Sequence, residues 1–99
     1  MKQNFSLNAA LWVGWLNIIY AAPAPVAEPT TIVAFGDSTT AERAATKVYT
    51  TILQEELQNV RVLNAGVRGN TTEMARKRFE KDVLENQPQI AIIQFGIND

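Results

Sequence analysis

The sequence has no cysteine and no histidine. The absence of both removes the familiar zinc, haem and thiol chemistries. It also removes any histidine general base from these 99 residues. An excess of positive charge is missing too. Lys+Arg number 9 against 10 Asp+Glu, giving a net charge of −1 and a pI near 5.4, without the footprint of a nucleic-acid binder. The densest basic run, Arg76-Lys77-Arg78 with Lys81, is interleaved with Glu73, Glu80 and Asp82. What is present is a chain that is 46% apolar. That is too apolar for disorder, and the length allows one small domain at most.

Residues 1–27 read as a secretory signal and linker. Lys2 leads a short polar stretch, then residues 9–22 (AALWVGWLNIIYAA) form an apolar run, followed by the small, proline-rich PAPVAEP. A basic start, an apolar middle and small residues at the exit make up an export signal. The run is about 14 residues long and interrupted by Gly14 and Asn17. A spanning helix needs about 20, so no stable membrane span is expected. Cleavage is expected after Ala24 or Ala27, and the mature protein is expected to be secreted or periplasmic. Without cysteine, its core alone must hold it together.

From residue 30 onward the pattern is strand, helix, strand, helix, strand. Residues 30–35 (TTIVAF) are β-branched and almost continuously apolar, as in a strand buried on both faces. After a polar loop, Ala45, Val48, Ile52, Leu53 and Leu57 recur at spacings of three and four, which predicts a helix running to Gln58. Residues 60–63 make the second strand, and residues 64–71 a glycine- and asparagine-rich loop. Thr71 or Thr72 caps a helix over residues 73–85 with Ala75, Phe79 and Val83 inward. Residues 89–95 (QIAIIQF) are the third strand. Alternation of this kind means a parallel sheet. In such sheets the loops after the strands gather along one edge, where ligands bind.

Three polar loops therefore face one crevice: GDSTT, NAGVRGNTT and GIND. In the first, Ser38 is expected on a sharp strand-to-helix turn, its hydroxyl exposed beside backbone N–H groups able to stabilise an oxyanion. Asp37, Ser38, Thr39 and Thr40 are equally ordinary helix-capping residues. In the second, Gly66 and Gly69 permit positive φ or close backbone approach. Gly66 is expected to direct its N–H at the crevice, and Asn64 and Asn70 can fix the loop through side-chain bonds to backbone. Arg68 reads as a solvated loop arginine ahead of a substrate contact. In the third, Asn98 supplies a neutral amide donor, although Gly, Asn and Asp are also the usual residues of a turn.

Taken together, a Ser, a Gly and an Asn each follow a strand, in the order GDS, NAGVRG, GIND. That arrangement resembles the GDSL family of esterases and lipases, also called SGNH hydrolases. The resemblance covers residues 32–99 and three of that family's four motif blocks. It implies an α/β fold: the N-terminal half (β-α-β-α-β) of a flavodoxin-like, three-layer α/β/α parallel sheet, with the first strand flanked by the second and third. It implies that Ser38 is the nucleophile and that the oxyanion hole is made by the Ser38 N–H, the Gly66 N–H and the Asn98 amide. Asp37, Asn64 and Asp99 are expected to support the loops. No metal or cofactor is implied, and the substrate class is carboxylic esters, either acylated carbohydrates or lipid esters, with no nucleic-acid partner.

The departure from the family concerns its fourth block, a downstream Asp-x-x-His with the general base and its orienting carboxylate, which is absent here. A serine without its base is a poor nucleophile at neutral pH, and losing a triad member costs about 10⁴–10⁶ in rate. Residues 28–99 are thus expected to be part of a longer esterase domain, and the 99-residue chain inactive by itself. A non-catalytic module stands as the alternative: flavodoxin-like with GDSTT cradling a flavin phosphate, or a sugar binder that keeps the crevice without the base.

Overall fold

The computed structural model describes Ile19 and residues 27–99. The expected signal and linker, residues 1–27, lie outside the described residues apart from Ile19 and Ala27. Strand β1 (Thr30–Gly36) is followed by helix α1 (Tyr49–Glu56), strand β2 (Val60–Gly66), helices α2 (Thr72–Arg76) and α3 (Phe79–Asp82), a 3-10 turn (Leu84–Asn86) and strand β3 (Ile90–Gln94). The sheet order is β2-β1-β3, and both pairings are parallel. This is the α/β arrangement expected of half a flavodoxin-like sheet, with β1 central.

Residues 31–36 of β1 are all buried, which explains why this strand has no polar alternation. Successive side chains point to opposite faces. Val33 and Phe35 join Ala75 and Val83 in the core, with Leu63, Ala65, Phe79 and Phe95 packed around them. Phe35 meets Phe79 and Phe95 edge-on, at centroid distances of 5.5 and 5.1 Å. Asn64 has the opposite parity and bonds Thr50 of α1, so α1 lies on the other face. Gln54 of α1 also binds the open edge of β2, donating to the Val60 carbonyl at 2.9 Å and accepting from the Val62 N–H at 2.9 Å.

Both predicted helices are shorter than their sequence patterns. The first does not include Ala45: residues 41–48 are irregular, with an isolated bridge between Arg43 and Thr46, and the helix begins only after Val48. Three of those eight residues are alanines, and residues 42–47 are all exposed. A helix there would bury almost nothing, so nothing repays its ordering. Val48 is inward as expected, whereas Ile52 and Leu57 are 46% and 44% exposed. The second helix is broken at Lys77 and Arg78 and ends in a 3-10 turn, yet Ala75, Phe79 and Val83 still point inward. Gln87, in the left-handed region at φ 47°, closes the segment. Pro88 disfavours helix at the residue before it.

β2 runs three residues beyond its predicted end and includes Asn64, Ala65 and Gly66. In the register, Gly36 stands opposite both Gly66 and Gln94. The three strands therefore finish level, and the three polar loops leave the sheet side by side.

Candidate active site

After β1 the chain folds into one tight turn. The Asp37 carbonyl accepts from the Thr40 and Ala41 N–H groups at 3.1 and 3.0 Å. Its carboxylate, only 1% exposed, accepts from the Thr39 N–H and hydroxyl at 3.0 and 2.9 Å. Asp37 thus satisfies four donors of its own loop, two at its carbonyl and two at Oδ1. Ser38 stands half-buried at the apex of this turn. Among the described residues neither its hydroxyl nor its N–H has a protein partner, while its carbonyl accepts from Arg43 Nη2 at 3.0 Å. The expected helix N-terminus beside Ser38 is not there, because α1 starts only at Tyr49. The N–H groups of Thr39, Thr40 and Ala41 are bonded to Asp37, so among the described residues the turn offers only the Ser38 N–H.

The loop after β2 is held by side chains. Asn64 donates to the Thr40 carbonyl and to the Thr50 hydroxyl (2.8 Å), so it joins β2, the Ser38 loop and α1. Its Oδ1 accepts the Gly66 N–H at 2.9 Å. That bond corrects the expectation for Gly66, whose N–H is engaged within its own strand. What Gly66 does instead is allow close approach: a Cβ there would run into Ala41, with Ala41 Cα at 2.7 Å. Gly69 takes the other option open to glycine, a positive φ of 76°, with nothing within 4 Å of a Cβ. Among the described residues its N–H has no acceptor. Gly69 is the loop glycine with a free donor, and sequence spacing did not distinguish it from Gly66. Arg68 donates to the Glu42 carbonyl at 3.0 Å, so it ties this loop to the one after β1.

The loop after β3 meets the second loop directly. Asn98 Nδ2 donates to the Asn70 carbonyl at 3.0 Å, and among the described residues its second amide hydrogen is uncommitted. The Asp99 carboxylate accepts from the Thr72 N–H at 2.8 Å and from the Thr72 hydroxyl at 3.1 Å, beside the Thr71 cap of α2. A carboxylate at that position satisfies an N–H that the helix cannot.

One residue of this region escaped the sequence reading. Arg78, noted there only as part of the densest basic run, is directed inward with 18% of its side chain exposed. It donates to the Gly36 carbonyl (3.0 Å), the Ala65 carbonyl (3.0 Å), Asn70 Oδ1 (2.7 Å) and Asp82 Oδ2 (2.8 Å). Its guanidinium carbon lies 4.5 Å from the centre of the Phe35 ring. The available signal was helical phase, since Arg78 stands between the inward Ala75 and Phe79 and four residues before Asp82. Among the described residues, no group of three acidic, Cys or His side chains is placed to hold a metal ion.

Residues 34–99 match the GDSL-like Lipase/Acylhydrolase family. An uncharacterised lipoprotein of Bacillus subtilis is 42% identical over 76 residues, covering 69% of this chain and 31% of that protein. An acetylxylan esterase of Geobacillus stearothermophilus is 42% identical over 40 residues, covering 40% of this chain and 18% of that protein. Among solved structures, a lipase/acylhydrolase from Enterococcus faecalis superposes with a TM-score of 0.57 at 38% identity, over 70% of this chain and 40% of that one. The chain thus spans about a third of the Bacillus protein and two fifths of the Enterococcus structure. On the family match and the shared fold, this chain is a member of the GDSL-like lipase/acylhydrolase family.

Proposed function

We propose that residues 28–99 are the N-terminal portion of an exported serine esterase domain, and that Ser38 is its nucleophile. The observation that carries this reading is the level register of the three strands, Gly36 opposite Gly66 and Gln94. It sets on one edge of the sheet a serine hydroxyl and a loop N–H, neither partnered among the described residues, and an anchored amide. Ser38 Oγ attacks the ester carbonyl and gives its proton to a general base. These 99 residues contain no histidine, so that base comes from elsewhere, in the Asp-x-x-His block of a longer protein. The oxyanion accepts from the Ser38 N–H, the second amide hydrogen of Asn98 and a backbone N–H of the second loop. Gly69 takes the place first assigned to Gly66, because its N–H is free. Expulsion of the alcohol leaves an acyl-enzyme that water hydrolyses, with the base returning the proton.

The substrate class we propose is acetylated carbohydrate, supported by the likeness to an acetylxylan esterase. Secretion or envelope attachment is supported by the apolar N-terminal run and by a relative that is a lipoprotein. Among the described residues no helix is long and apolar enough to cross a membrane. The test uses the full-length gene product. It is expected to hydrolyse p-nitrophenyl acetate and to gain the mass of one fluorophosphonate adduct, and S38A is expected to lose both, with at least about 10⁴-fold lower kcat. Hydrolysis that persists in S38A overturns the assignment. A protein that takes neither ester nor phosphonate but binds a xylan oligosaccharide supports the non-catalytic sugar-binding alternative.

A further inference from the structure

The position of each proposed donor depends on how three separate loops sit relative to one another. Few bonds fix this. The Val67 N–H donates to the Gly36 carbonyl at 3.0 Å, and Asn98 donates to the Asn70 carbonyl. Arg78 adds contacts at the ends of both β1 and β2. Its guanidinium binds the last carbonyl of β1, the Ala65 carbonyl next to the end of β2, and the Asn70 side chain. The ring centre of Phe95, immediately after β3, is 6.0 Å from the guanidinium carbon. Two of these partners lie one or two residues from a group proposed to act. Gly36 precedes Asp37-Ser38, Asn70 follows Gly69, and the Asn70 carbonyl holds Asn98.

We infer that Arg78 is the positioning residue of this site, a planar fork that sets the loops after β1 and β2, and through Asn70 the amide of Asn98, in one fixed arrangement. A guanidinium suits the task for a reason of shape. It presents five N–H groups in one plane, and here donates from Nε, Nη1 and Nη2 to four separate acceptors. A lysine would keep the charge beside Asp82 but, as a compact ammonium on a flexible stem, could not span those acceptors. Asp82, accepting from Nη1 at 2.8 Å, and the Phe35 ring beneath the guanidinium fix the fork in place. Misplacement of about 1 Å at a reacting centre costs on the order of 100-fold in rate. An oxyanion donor has to be placed before the charge develops, not recruited afterwards.

This inference rests on the esterase reading, and its test is built to fail separately from it. In the full-length protein, R78K is expected to lower kcat for p-nitrophenyl acetate about 10–100-fold while KM stays within about twofold. Amide hydrogen exchange is expected to quicken at Val67 and Asn70 while Val33 and Ala34 in β1 keep their protection. R78Q, which keeps a planar amide but not the charge, should fall between wild type and R78K in exchange at Asn70. An active wild type with unchanged kcat in R78K overturns the inference. Exchange that quickens equally through β1 also overturns it, since Arg78 would then be a general staple of the fold. A wild type whose hydrolysis does not depend on Ser38 refutes the esterase reading instead. In that case exchange alone decides, and unaltered protection at Val67 and Asn70 refutes positioning.

Discussion

Two glycines of one loop differ in what a side chain would cost. At Gly66 a Cβ would meet backbone atoms of Ala41, which cannot move without shifting the Ser38 turn. G66A is expected to destabilise by about 1–3 kcal/mol, as overpacking does, and to disturb the hydroxyl it supports. Gly69 has open space, so G69A bears only the left-handed backbone penalty of about 1–2 kcal/mol. Urea titrations of both variants check the ranking, and equal losses would contradict it. The sequence made both glycines conspicuous but could not separate them, because close approach and positive φ leave the same letter. It also could not reveal that the Asn64 side chain occupies the Gly66 N–H, a bond between residues two apart in a strand.

The three strands were readable from their apolar runs, as were the loops that follow them, and Thr71 caps α2 as its position suggested. Its hydroxyl accepts from the Met74 N–H at 3.2 Å. T71A should therefore cost about 1 kcal/mol, seen as a lower urea midpoint at unchanged slope. A changed slope would mean that more than the cap was lost. Residues 41–48 were misread because alanines fit helical spacing without supplying area to bury, and periodicity registers position alone. Arg78 gives no comparable signal, for the converse reason. A charged side chain on an inward phase is ordinarily an exception, and only the carbonyls at the strand ends, brought there by the fold, make it a satisfied one. Half-satisfied polar groups at that depth would be costly.

At the scale of the whole molecule, burial is uneven. β1 is enclosed on all sides, while β3 leaves Ile90 and Ile93 exposed at 48% and 60%, with Ile97 beyond it at 74%. An apolar hollow lined by Phe35, Thr72, Ala75, Phe79, Ile93 and Phe95 adjoins this side. An apolar edge strand with unpaired backbone groups templates association. The 99-residue chain is expected to self-associate as its concentration rises, and I93K to suppress this, as measured by static light scattering. Association of I93K equal to that of wild type would place the sticky surface elsewhere.

The central place of β1 also bears on synthesis. Its first partner, β2, follows after one short helix, but its second comes late: Thr31 bonds Gln89 across 58 residues of chain. At about 5–20 residues per second, roughly 3–12 s separate the two ends of that contact. Once β2 is made, for the later part of that interval, a nascent chain holds a two-stranded sheet with one flank of its most apolar strand uncovered, and chaperones have time to engage it.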